Sequence, residues 1–174
     1  MSVMKKNLFA LLALLWVSVG SASAQKLALV DMEYILGKMP AYEMMNRQLE
    51  DLSKKWQQEV SGQEAEAQAL YKKYQSDLVF LSAEQKKMRE EEIVTTEKAA
   101  YELKRKYFGP EGELMKRRES LMKPIQDEVW KSLKDLALAQ GYHVIIDKAS
   151  SKIVYADPSV DVSAIVLQKM GFGK

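Results

Sequence analysis

From Tyr42 to Lys123 runs a stretch dense in Glu, Lys, Gln and Ala, in which apolar side chains recur at helical spacing. Tyr42, Met45, Leu49, Leu52 and Trp56 alternate gaps of three and four residues, which lays one apolar stripe along a helix. Beyond Trp56 the stripe slips and thins to Val60, Ala67, Leu70, Tyr74 and Leu81, so packing is expected to be loosest near Gly62. A second pattern follows, with adjacent apolar pairs seven apart: Ile93-Val94, Ala100-Tyr101, Tyr107-Phe108, Leu114-Met115 and Leu121-Met122. A sustained heptad calls for a partner helix. The two helices therefore fold back on each other, with the tip near Leu81 and Ser82 and Gln85 placed to form a capping box. Pro40 and Pro124 stand almost level across this hairpin and mark its shoulder. At 1.5 Å per residue each arm reaches roughly 60 Å, too long to be folded into a compact domain of this size.

The remainder of the chain supplies a leader and a small body. Residues 1–24 carry Lys5 and Lys6, the apolar run LFALLALLWVSV and the small residues Ser21 to Ala24, the order of a secretory signal peptide cleaved near Ala24. The run is too short to span a bilayer. The mature chain is expected to be soluble outside the cytoplasm, and without cysteine its fold rests on packing alone. Losing Lys5 and Lys6 leaves 24 basic against 24 acidic residues, so no excess positive charge points to nucleic acid.

Body and arm divide as residues 25–40 with 124–174, and residues 41–123. KLALVDM reads as a strand apolar on both faces, hence central. At the other shoulder Pro124 begins a helix with Ile125, Val129, Leu133 and Leu136 on one face, ending at Gly141. YHVIID and KIVYA, separated by a small polar turn, read as an antiparallel hairpin. Asp161 is placed to cap a last helix that Gly171 stops. The expected fold is thus α+β and mostly α: a long antiparallel helical hairpin on a small antiparallel three-stranded body. With roughly 65 residues that body is small, and oligomerisation is its expected supplement. FGPEGEL interrupts the arm with Gly109, Pro110 and Gly112, yet the heptad pairs keep phase across it, so it reads as a kink or one loosened turn, a hinge if it has a function.

Reactive chemistry is hard to find. His143 stands alone on a predicted strand, and neither a glycine-rich phosphate loop nor a nucleophile elbow is present. Carboxylates alternate with lysines in the manner of helix-surface pairs. The reading is of a non-enzyme without cofactor or metal. Tyr71, Tyr74, Leu78, Val79, Phe80, Leu81 and Met88 crowd the distal third, more apolar surface than a two-helix seam can bury, which points to a partner.

The opening KLALVDM, the long charged arms, and above all Gly141 to Asp147 with Ile153-Val154-Tyr155 and the Asp161 helix resemble the Skp (OmpH-like) periplasmic chaperones. The resemblance implies a homotrimer in which strands of three chains complete a β-barrel, with three tentacles around a cavity. There unfolded outer-membrane β-barrel proteins would be held without ATP. It places trimer contacts at Leu27, Leu29, Val30, Val144, Ile146, Ile153 and Tyr155. It places client contacts at Trp56, Leu70, Tyr74, Phe80, Leu81 and Met88, although the first four also fit the seam. The neutral mature chain departs from the basic balance of well-known members, so apolar contacts carry more of the capture, and membrane contact is peripheral at most. Two readings from other classes compete: a structural coiled-coil scaffold of the envelope, and a cargo adaptor.

Overall fold

The computed structural model describes residues 25–173, and the leader lies outside them. Strand β1 (Leu27–Val30) leads into the short helix α1 (Met32–Gly37), whose first turn is capped by the Asp31 carboxylate accepting from the Tyr34 N–H at 2.9 Å. Helix α2 (Pro40–Asp77) starts on proline, whose missing N–H costs nothing in a first turn. It runs 38 residues without a break, about 57 Å. Gly62 does not interrupt it.

The chain reverses at Leu78–Leu81, and α3 (Ala83–Phe108) starts from the expected capping box: Ser82 accepts from the Gln85 N–H while the Gln85 side chain accepts from the Ser82 N–H. α3 packs back along α2, burying Ile93 and Ala100 against a seam that includes Val60 and Ala67. Only the first member of each of these two pairs is buried, and Val94 and Tyr101 face outward.

At Phe108 the return helix stops. Residues 109–112 form a tight turn before α4 (Glu113–Gln140) resumes. The interruption is therefore a complete break, sharper than a loosened turn. The Gly109 N–H donates to the Arg105 carbonyl at 2.9 Å and the Gly112 N–H to the Gly109 carbonyl at 2.8 Å. A Cβ on Gly109 would lie 2.4 Å from the Arg105 carbonyl oxygen, and one on Gly112 2.7 Å from that of Tyr107. Backbone crowding, not an unusual φ, demands both glycines.

Pro124 lies inside α4 and begins nothing, a correction to the expected shoulder. Its ring removes one intrahelical hydrogen bond, while Ile125, Val129 and Leu136 are buried on the same helix and hold it to the body. α4 ends at Gly141 with φ +70°, the left-handed cap that glycine adopts without steric cost.

β2 (Val144–Asp147) pairs with β1 in parallel, Leu27 opposite Val144 and Val30 opposite Asp147. The expected antiparallel three-stranded sheet is thus replaced by a two-stranded parallel one, for a topological reason. A parallel pair needs a long crossover connection, and the whole arm between β1 and β2 supplies it. KIVYA forms no strand. Among the described residues no strand pairs with it: Ile153 is half-buried, but Val154 is fully exposed and Tyr155 largely so. The other edge of β1 is occupied instead by a bridge from Leu29 to Asp161, the Val162 N–H donating to the Leu29 carbonyl at 2.9 Å. β1 is central, as its two apolar faces require.

A 3-10 turn (Pro158–Val160) precedes α5 (Ser163–Lys169). Ala28, Val30, Ile35, Met39, Val129, Val162 and Val166 make up the body core together with Met45 and Leu49 from the root of the arm. Charged side chains fasten the base of this core. Lys148 reaches Asp31 at 3.3 Å and Asp161 at 2.7 Å, and Ser163 joins them, donating to Asp161 and accepting from the Asp31 N–H.

Candidate functional site

The arm is where exposed apolar chemistry collects. At the reversal, Val79 and Phe80 are 82% and 84% exposed, with Leu78 beside them and Met88 uncovered one turn into α3. Such side chains gain nothing from facing water. Of the distal crowding read from the sequence, Tyr71, Leu78, Val79, Phe80 and Met88 are on the surface.

The client-contact expectations divide into two groups. Phe80 and Met88 are exposed, and Leu81 is half-buried under the turn. Trp56, Leu70 and Tyr74 are half-buried in the arm. Trp56 stacks on Tyr107, ring centroids 4.7 Å apart and planes 6° from parallel, and the Tyr107 hydroxyl donates to Glu59 at 2.6 Å. That bond holds the Tyr107 phenol above its ordinary pKa, with some help from desolvation. Tyr74 donates to Glu90 across the hairpin in the same way, with the same direction of shift. These two cross-ties bind outward and return helices together, and they fall on the part of the outward stripe that had lost its regular apolar period.

Other exposed side chains lie beyond the expected set. Tyr101 is 65% exposed and Val94 61%, with Met115 partly so past the break. All three are second members of heptad pairs, and the adjacency of two apolar residues at every seventh position was the available signal: one of the two must turn away from a single partner helix. On the body, Trp130 and Leu138 stand exposed two helical turns apart on α4, an outward ridge hidden in the sequence by the strong apolar face opposite.

Among the trimer-contact expectations, Leu29 and Val30 are buried in their own chain's core, Ile146 and Ile153 are half-buried, and Leu27, Val144 and Tyr155 are exposed. Gly109, Pro110 and Gly112 form the break already described, which lies next to Tyr107 and its stack on Trp56.

Among the described residues no group of three His, Asp or Glu side chains is arranged to hold a metal ion, and no helix is long and apolar enough to cross a membrane. Burial pushes the Asp161 carboxyl up, but Lys148 and the Ser163 hydroxyl and N–H outweigh it and hold it below its usual value. Asp147 behaves alike, its burial overcome by hydrogen bonds that include those from the Met32 and Ala149 N–H groups. Both are fastening groups of the fold.

A paired helical arm with a naked apolar tip, carried on a small body, defines the class of proteins built around a coiled-coil projection. The family model described as outer membrane protein (OmpH-like) matches residues 26–170, and the chain belongs to that family. It is 31% identical over 170 residues to the chaperone protein Skp of Yersinia enterocolitica, covering 96% of this chain and 99% of that one. With the chaperone protein Skp of Photorhabdus luminescens it shares 27% identity over 162 residues, 88% and 90% of the two chains. In fold it is similar to the crystal structure of an OmpH-like protein from Caulobacter crescentus, with a TM-score of 0.68 at 12% identity over 87% of this chain and 86% of that one.

Proposed function

We propose that the mature chain is an ATP-independent holdase of the periplasm that keeps unfolded outer-membrane β-barrel proteins from aggregating, working as a homotrimer whose arms surround the client. The observation that carries this reading is the uncovered apolar surface of the arm from Tyr71 through Phe80 and Met88 to Tyr101. The chain's similarity to chaperones named Skp supports the same conclusion.

An unfolded client has no fixed surface, so a useful grip is made of many weak contacts whose effective concentration is raised by tethering. Exposed Met88, Phe80 and Val79 give such contacts, methionine adapting its shape to whatever lies against it. Seam residues Trp56, Leu70 and Tyr74 keep the arm straight and act on the client only through that. The 109–112 break serves as the hinge about which the distal arm adjusts to client size.

Trimer assembly finds support in surface that one chain leaves open: Leu27 and Val144 at the sheet, Tyr155 on the unpaired KIVYA segment, and the Trp130–Leu138 ridge. A second chain could pair with KIVYA and close the sheet. Two measurements test the reading. Diluting a urea-unfolded outer-membrane protein into buffer with and without the mature chain, followed by light scattering, should show aggregation suppressed. A scaffold or an adaptor for folded cargo would leave scattering unchanged. Sedimentation should give three chains per particle, and a monomer would remove the enclosed-client account.

A further inference from the structure

Midway along the arm the seam is too thin to fill the space between its helices. Ala67 and Ala100 meet there, both buried, and neither is large enough to bridge α2 and α3 as Val60 and Ile93 do elsewhere. A groove of about 660 Å³ opens over them. Tyr71 and Tyr101, 47% and 65% exposed, line it from opposite helices. Its margin is polar: Glu97 lies on one side, and Glu64 and Lys104 approach within 3.9 Å across the hairpin.

From this shape we propose that the groove is a docking track for short extended segments whose side chains alternate between apolar and polar. The inference rests on the chaperone reading and names which parts of an unfolded client the arm prefers. Along α2 the groove runs from Ser61 to Tyr71, about 15 Å of helix. An extended chain covers that distance in about five residues, with about three side chains directed to one face. Those three meet an alanine floor between two phenol rings, where aromatic and branched side chains gain both burial and ring contact. The intervening polar side chains point back toward Glu64, Glu97, Lys104 and water. Membrane β-barrel strands carry this period-two pattern, apolar outward and polar inward.

The track does not suit a helix from a second copy. A coiled-coil partner needs a seam continuing over several heptads, whereas this depression is bounded toward the body by the Trp56–Tyr107 stack and toward the tip by the Tyr74–Glu90 tie. A wholly apolar segment fits poorly as well, since half its side chains would face the charged margin.

Two fluorescein-labelled nine-residue peptides of identical composition separate the possibilities, one alternating Leu or Tyr with Thr or Ser, the other with all its apolar residues in one block. Anisotropy with the mature chain should show the alternating peptide binding about tenfold more tightly. The double substitution Y71S/Y101S, at two exposed positions that the fold does not need, should abolish that preference. Filling the floor with Ala100→Leu should do the same, circular dichroism confirming that the arm remains helical. Equal binding of the two peptides, or a preference unmoved by Y71S/Y101S, overturns the track. If aggregation of an unfolded outer-membrane protein is still suppressed in that case, the holdase reading stands without it. If the unaltered chain suppresses no aggregation, the underlying reading itself falls.

Discussion

Val60 is the residue at which the paired arm can be tested most directly. It lies in the middle of α2, yet is 0% exposed, so its side chain is covered by the return helix and not by the distant body. Val60→Ala removes two methyl-sized groups, worth about 0.8 kcal/mol each in transfer from water. The void left behind adds roughly 1 kcal/mol where neighbours collapse only partly. Alanine returns about 0.5 kcal/mol through its better helix propensity. The net loss is about 2 kcal/mol. With a urea slope near 2 kcal/mol per molar, the unfolding midpoint followed by circular dichroism should fall by about 1 M, and amides around Val60 should exchange roughly thirtyfold faster if the arm opens locally. Val94→Ala is the matched control: the same chemistry on the return helix, but 61% exposed, so the midpoint should hold or rise slightly. Equal shifts for the two variants, or a Val60 shift below about 0.3 M, would mean that α3 does not lie along α2 in solution, and the reasoning about the arm would fail with it.

Other outcomes follow from the same geometry. Gly109→Ala and Gly112→Ala each drive a Cβ into backbone carbonyl oxygen, so both should lower the midpoint, whereas Gly62→Ala, with open space around it, should raise it by up to about 0.5 M, a gain of about 1 kcal/mol at the same urea slope. Asp161 and Asp147 are held below their ordinary pKa in the folded state, so their contribution is present above the unfolded carboxylate range near 4 and lost as pH falls through the depressed values. Acid titration should therefore show stability declining below about pH 4, and Asp161→Asn should flatten that limb while lowering stability at neutral pH. Phe80→Ser with Val79→Ser should leave the unfolding midpoint unchanged, since both side chains are bare, but weaken suppression of client aggregation in the scattering assay.

The arm was legible in the sequence because its signals are local. Heptad pairs, the Ser82–Gln85 cap, the position of the reversal and the glycine ends at Gly141 and Gly171 all depend on residues a few positions apart. The body was harder, because its pairings connect opposite ends of the chain. KIVYA has the composition of a strand, but composition cannot say whether a neighbour exists, and the second edge of β1 is taken by Asp161 and Val162. The parallel direction of β2 uses the arm as its crossover, a long-range relation that local turn chemistry between YHVIID and KIVYA obscured. Pro124 misled for a related reason: a proline breaks an isolated helix, but Ile125 and Val129 anchor this one immediately beyond it. At the candidate site, the tip was readable as excess apolar content. The alanine-floored groove was not, since two unremarkable residues on different helices become a depression only when set side by side.

The parallel pairing of β1 with β2 bears on how the chain comes together. Lys26 and His143, 117 positions apart, are joined at the start of the sheet, the Lys26 carbonyl accepting from the His143 N–H at 2.8 Å. Closing so long a loop from a random coil costs on the order of 4 kcal/mol in chain entropy. If the hairpin zips first from Ser82, that loop shrinks to a few residues by the time α4 arrives, and the cost is met one helical turn at a time. The first strand must therefore wait until residues as far as Asp147 are in place before it can pair. The arm thus serves first as the scaffold on which its own root is assembled.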